Sequence, residues 1–236
     1  MATPTQDELK RAVAAKAVEY VRDGMKLGLG TGTTAEAFLD VLAPRVRGGL
    51  TVTGVPTSER TAAKARSLGI PLAELDALAP LDLTIDGADE ADPDLTLIKG
   101  AGGALLREKI VAAASKQMIV ITDASKVVKK LGKFTLPVEV VEYGHITTAK
   151  KIAEAVRALG YPAIPITQRV KDGVVYKTDG GNFIYDCAFG EIADAPALAR
   201  ALGDIVGVVE HGLFIGLATT LLVARESGVE VITRPA

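Results

Sequence analysis

Short apolar runs alternate with helix-length segments from Met25 to Ile121, and few architectures accept that rhythm. Residues 25–29, 51–55, 70–73, 81–85 and 118–121 read as strands bounded by turn residues. Residues 35–42, 58–68 and the stretch from Gly103 to about Ser115 read as helices between them. Strands joined through helical crossovers pair in parallel, which predicts an α/β domain with a mostly parallel sheet. Ahead of it, Thr5-Gln-Asp-Glu8 fits a capping box, opening a helix with the apolar stripe Leu9, Val13, Ala17 and Val21.

Near residue 130 the rhythm changes. Residues 134–142 read as a strand and 147–159 as a helix. Two short strands flank the Asp172-Gly173 turn, and 182–188 reads as another strand after Asp179-Gly180-Gly181. A helix over 196–202 completes a small α+β domain, expected to span 131–205. The apolar runs 213–224 and 229–233 return to the first sheet, so the main catalytic domain is expected to be 1–130 plus 206–236.

Composition narrows the functional classes. Lys and Arg total 27 against 29 Asp and Glu, a net charge of −2, so a basic nucleic-acid surface has no global support. Aromatics are 4% with no Trp, which speaks against base-stacking platforms. The least polar stretch, 212–224, is shorter than the roughly 20 residues a membrane span needs. One cysteine, Cys187, permits no internal disulfide, and the polar start Met-Ala-Thr-Pro-Thr-Gln-Asp-Glu has no signal-peptide pattern. A cytoplasmic protein is expected, with no nucleic acid and no membrane among its partners.

In open parallel sheets, ligands bind beyond the carboxyl ends of the strands. Four successive candidate strands end in Gly30 to Thr34, Asp86 to Glu90, Lys99 to Gly103, and Asp123 to Lys126, which would gather hydroxyls, carboxylates and two lysines at one sheet edge. Gly28-Leu-Gly30-Thr31-Gly32-Thr33-Thr34 can cradle a phosphate or carboxylate on backbone amides at a helix start, or be a tight turn with threonine caps. As a dinucleotide fingerprint it fits only partly: Thr33 stands where the third glycine belongs, and the second strand ends Val55-Pro56-Thr57-Ser58 with no acid there to hold a ribose. Asp86-Gly87-Ala88-Asp89-Glu90 can hydrogen-bond sugar hydroxyls and move their protons, or form a solvated turn. Its spacing does not match a calcium loop.

The helix after Lys99-Gly100-Ala101-Gly102-Gly103 carries apolar side chains nearly all round, as in a buried helix, yet contains Arg107, Glu108 and Lys109 in succession. Neighbours on a helix point about 100° apart, so the three cannot share one solvent face. Long Arg and Lys stems reach outward, whereas Glu108 is short and meets its surroundings directly. It is a candidate general base, with an ion pair to a nearby cation as the alternative. Lys99 and Lys126 could neutralise phosphate or a developing oxyanion, or be ordinary surface charges, and Lys10 is a weaker case of the same kind. His145 and His211 lie far from these segments, no cluster has metal-ligand spacing, Cys187 reads as a packed core thiol, and no Gly-x-Ser-x-Gly elbow occurs. The available groups suit proton transfer on a small anionic polyol, with neither metal nor cofactor.

These motifs in this order, with Thr57-Ser58, Leu131-Gly-Lys-Phe134 and Leu136-Pro-Val-Glu-Val140, resemble the type A ribose-5-phosphate isomerases over essentially the whole chain. The resemblance implies a Rossmann-like main domain, a smaller ferredoxin-like α+β domain, and a homodimer or higher homo-oligomer. It implies interconversion of D-ribose 5-phosphate and D-ribulose 5-phosphate through a cis-enediolate. On it, Glu108 is the base, Asp86 and Asp89 assist ring opening and hydroxyl proton transfers, and Lys99 stabilises the enediolate oxygen. It further implies substrate binding by Thr31, Gly32, Thr33, Thr34, Gly87, Ala88, Gly100, Ala101, Gly102 and Lys126, with Lys10 assisting at the phosphate. Ala101 departs from a run that is often all glycine, so its methyl could crowd the substrate. The main rival is a sugar-phosphate sensor without catalysis, which would normally carry a DNA-binding helix-turn-helix; none is expected here, because the chain runs straight into the first helix of the domain and shows no basic module. A coenzyme A transferase-like or dinucleotide enzyme is weakened by the missing ribose-binding acid.

Overall fold

The computed structural model describes residues 4–234, so Met1, Ala2 and Thr3 of the polar start lie outside the described residues. The elements run α1 (Gln6–Val18), β1 (Met25–Leu29), α2 (Thr33–Arg47), β2 (Val52–Pro56), α3 (Glu59–Ser67), α4 (Leu75–Leu78), β3 (Leu83–Gly87), β4 (Glu90–Ala91), β5 (Leu97–Ile98), α5 (Leu105–Ala113) and β6 (Met118–Asp123). After a 3-10 turn (Ala124–Lys126) come β7 (Leu136–Val140), α6 (His145–Ala158), β8 (Ile166–Gln168), β9 (Val170–Lys171), β10 (Val174–Val175), β11 (Phe183–Cys187), α7 (Ala195–Gly203), β12 (Val208–His211), β13 (Leu213–Phe214), β14 (Thr220–Arg225) and β15 (Gly228–Thr233).

Two compact units result. Of the described residues, the first comprises 4–88, 107–127 and 216–234. The second comprises 89–106 and 128–215, and so holds all of 131–205 together with flanking segments.

In the first unit the sheet order is β15-β14-β6-β3-β1-β2. Every pairing is parallel except β14 with β15, the edge hairpin. The chain moves outward from β1 to β2 and then restarts on the other side of β1 with β3. The point of reversal therefore lies between β1 and β3, where doubly wound sheets open a crevice at their carboxyl ends. The capping box forms: Glu8 accepts from the Thr5 amide at 2.7 Å, and Thr5 accepts from the Glu8 amide at 3.3 Å. Val13, Ala14, Ala17 and Val18 of α1 and Phe38, Leu39, Leu42 and Ala43 of α2 bury against Leu27, Leu29, Leu83, Ile85, Ile119 and Ile121. Each large side chain removed from water contributes about 1.5–3 kcal/mol. On the opposite pleat of β1, Gly28 leaves room for Val111 of α5 and Thr84 of β3.

The second unit contains the order β-α-β-β-α-β over β7, α6, β8, β11, α7 and β12, forming the antiparallel sheet β12-β7-β11-β8. This is the ferredoxin-like arrangement expected for the smaller domain. Leu136, Val138, Val140, Ile152, Val156, Tyr185, Leu198 and Leu202 fill its core. The Asp172-Gly173 turn links β9 and β10 in a separate two-stranded hairpin.

Several local expectations change. Residues 70–73 make one isolated bridge, Leu72 to Gly54, rather than a strand. Helix α2 runs on through Pro44 to Arg47. The largest change concerns β5: it does not join the parallel sheet but pairs antiparallel with β4 and β13 in a small three-stranded sheet. Three of the four polar strand ends therefore share the parallel sheet's edge, not four. A two-residue apolar run has no period from which its partner could be read.

Candidate active site

Within the first unit, the loop after β1 and the end of β3 meet at the point of reversal. Asp86, fully buried, accepts on Oδ1 from the Thr31 amide at 3.1 Å and from the Gly87 amide at 2.7 Å. Thr31 Oγ1 donates to Ser58 Oγ at 2.9 Å and lies 2.7 Å from Thr57 Oγ1 and 3.1 Å from Thr61 Oγ1. Thr57 and Thr61 in turn donate to the carbonyls of Leu29 and Gly30, each at 3.0 Å. Both donors of Thr31 are thus turned inward, where they fasten the loop. Gly32, at φ 107°, caps α2 in a conformation that favours glycine, and no side chain caps this helix. The first-turn amides of a 15-residue helix and the Thr33 and Thr34 hydroxyls stand at its positive end, which favours an anion.

Glu108 lies one turn before Val111 on the same face of α5 and is only 4% exposed. Its neighbours behave differently. Arg107 reaches out to Glu59 at 2.9 Å, and that guanidinium holds the Glu59 carboxyl below the usual carboxylate range. Ile110 is 47% exposed, so α5 is not buried all round as its composition suggests. Arg107 and Ile110 also wall a cavity of about 370 Å³ with Val55, Ser58, Arg66 and Glu74, and none of the expected site residues lines it.

Lys126 ends the 3-10 turn after β6, where Asp123 caps the Ser125 amide at 2.8 Å. Lys10 is on α1, 3.7 Å from Asp7. Among the described residues, no hydrogen bond or ion pair joins either lysine to Thr31.

Within the second unit, Asp89 accepts from the Ala101 amide at 2.8 Å, which brings the acidic run and the glycine loop together. The Ala101 amide is therefore committed to protein. Lys99 is 2% exposed, with its ammonium 5.4 Å from the Phe214 ring centroid. A lysine after a strand is ordinarily a solvated charge; one so buried has a local purpose. Glu90, adjacent to Asp89, accepts from the Gly132 and Phe134 amides at 2.7 and 2.6 Å, so this acid of the run is structural. Sequence reasoning missed Arg169 and Tyr176, which bond the carbonyls of Gly100 and Gly102 at 2.7 and 3.3 Å. Nothing in their spacing could have found them.

Among the described residues, no group of three or more His, Cys, Asp or Glu is placed to hold a metal ion, and no helix is long and apolar enough to cross a membrane.

The family model described as Ribose 5-phosphate isomerase A (phosphoriboisomerase A) matches residues 53–228. A ribose-5-phosphate isomerase A from Nitrobacter hamburgensis is 56% identical over 230 residues, 98% of this chain and 99% of its own length. The solved ribose 5-phosphate isomerase from Plasmodium falciparum superposes with a TM-score of 0.93 at 36% identity, covering 98% of this chain and 100% of that one. A solved D-ribose-5-phosphate isomerase in complex with phospho-erythronic acid gives 0.90 at 35% identity, with 98% and 100% covered.

Proposed function

The chain belongs to the ribose 5-phosphate isomerase A family, and from that premise we propose which side chains carry its reaction. The enzyme interconverts D-ribose 5-phosphate and D-ribulose 5-phosphate. Glu108 is the base that moves a proton between C2 and C1. The observation that carries this role is its near-complete burial beside Arg107, which reaches outward to Glu59. A carboxylate kept from water is a stronger base toward a carbon-bound proton than a hydrated one.

Removing that proton builds negative charge on the carbonyl oxygen as a cis-enediolate forms. Lys99, buried beside Phe214, stabilises this oxygen. Asp86 and Asp89 exchange protons with the sugar hydroxyls and assist ring opening. The amides of the first α2 turn, with Gly32, Thr33 and Thr34, receive the phosphate, with Lys126 and Lys10 assisting; Thr31 sets the loop. Gly87, Ala88, Gly100, Ala101 and Gly102 line the sugar. The phosphate supplies binding energy away from the reacting carbons. Phospho-erythronic acid, bound by a relative, supports the enediolate route, because its planar carboxylate resembles the enediolate one carbon shorter. Work in the cytoplasm as a homodimer or higher homo-oligomer belongs to the same proposal and rests on the family likeness.

Glu108→Gln is expected to lower kcat by about 10²–10⁴-fold, the span of general-base contributions, with KM little changed. Wild-type enzyme in heavy water should wash deuterium into the transferred position. Near-normal turnover of the variant, or wild-type turnover without any wash-in, would overturn the assignment.

A further inference from the structure

The peptide joining Gly100 to Ala101 is gripped from both ends. Its carbonyl accepts from Arg169 Nη1 at 2.7 Å, and its N–H donates to Asp89 at 2.8 Å. In a trans peptide these two groups point in opposite directions, so a hold on one orients the other. The Arg169 guanidinium is itself fixed by Asp186 of β11, through Nε to Oδ2 at 2.9 Å and Nη2 to Oδ1 at 2.5 Å. Nη1 also lies 3.3 Å from the Ala101 carbonyl.

Tyr176 adds a second tie. Its hydroxyl donates to the Gly102 carbonyl at 3.3 Å, and its amide donates to the Arg169 carbonyl at 2.9 Å, closing the base of the β9–β10 hairpin. The hairpin itself is exposed at Val170 and Val174. The residues at its base are tied inward to the glycine loop instead. A guanidinium offers five donors in a rigid fork, so one side chain can hold a carboxylate and a backbone carbonyl at once. An ammonium cannot span the same three acceptors.

We propose that Arg169, locked by Asp186, is a positioning residue for the isomerisation: it orients the Gly100–Ala101 peptide and thereby the Asp89 carboxylate, while Tyr176 steadies the far end of the loop. This rests on the reading of Asp89 and Lys99 as groups that serve the sugar. Arg169 touches no reacting atom, so its loss acts on the rate through the loop.

The test compares kcat, KM and Tm with ribose 5-phosphate for Arg169→Met, Arg169→Lys, Asp186→Asn, Asp89→Asn and Ile152→Val, the last a core change in α6. Arg169→Met is expected to lower kcat at least tenfold, and Asp186→Asn severalfold. Arg169→Lys should recover only a small part of the loss, although it restores the charge. Ile152→Val should lower Tm with kcat unchanged, which separates loop geometry from stability. Asp89→Asn with wild-type turnover would overturn the site reading and this proposal with it. Impaired Asp89→Asn beside wild-type kcat in Arg169→Met would overturn the proposal alone. Full recovery by Arg169→Lys would do so as well, because charge would then suffice without the fork.

Discussion

Gly30→Ala tests whether the crevice between β1 and β3 is as tightly built as its hydrogen bonds imply. A Cβ at residue 30 would lie 2.2 Å from Asp86 Oδ1, 2.3 Å from Asp86 Cγ and 2.6 Å from Asp86 Cα. Ordinary carbon contacts sit at about 3.5–4.0 Å, so roughly an ångström of separation must be found. Asp86 cannot supply it by rotation alone, because its own backbone is one of the clashing atoms and β3 is paired on both sides, to β1 and β6. Overpacking of this kind costs about 1–3 kcal/mol. For a chain of this size that corresponds to a Tm lowered by about 2–12 °C. The catalytic effect should be larger, because the same shift breaks the 3.1 Å bond from the Thr31 amide to Asp86. A displacement of about 1 Å at a reacting group can cost on the order of 10²-fold in rate. Gly54→Ala is the control: its Cβ would meet Leu29 Cδ1 at 2.4 Å, a side-chain atom away from Asp86, so stability should drop with little loss of turnover. A coupled assay with ribose 5-phosphate and a thermal melt read both quantities. Wild-type kcat/KM in Gly30→Ala, or an equal activity loss in Gly54→Ala, would refute the reasoning.

The hydroxyl cluster under the same loop makes a second prediction. Thr61→Val keeps the shape of the side chain but leaves the Gly30 carbonyl without its 3.0 Å donor, at about 1–3 kcal/mol, and should raise KM for the sugar phosphate. Thr61→Ser should restore both, and an unchanged KM in the valine variant would count against the loop-fastening role. Burial, with Asp186 adding to it, pushes the Cys187 thiol up to about 12. The folded value is the higher one, so the folded state keeps its proton where the unfolded thiol has lost it. The associated stability is full below about pH 8.5, the unperturbed thiol value, and is lost as pH rises toward 12. Denaturation at pH 8 and pH 10.5 should show a decline that Cys187→Ala lacks in part, and a thiol reagent should label the native protein only after urea is added. Rapid native labelling would contradict the burial.

Much of this fold was legible before any coordinates. The capping box at Thr5, the alternation from Met25 to Ile121, the hairpin turn at Asp172-Gly173 and the polar ends of β1 and β3 all come from patterns a few residues long. Turn chemistry and side-chain periodicity act over that range, so the chain itself settles them. The helix around Glu108 and the polar strand ends marked Glu108, Asp89 and Lys99 as candidates with alternatives, and the likeness to a known family implied the role of each. Only tertiary structure moved β5 out of the parallel sheet, buried Lys99 beside Phe214, and turned Glu90 into a cap for Gly132 and Phe134. It alone packed Thr57, Ser58 and Thr61 under Thr31, and tied Arg169 to a carbonyl 69 residues earlier. A hydrogen bond to a distant backbone group leaves no periodic trace in sequence. It exists because folded β-strands and turns deliver a donor and an acceptor to the same place, and there the buried polar atoms must find each other or remain unsatisfied at a cost.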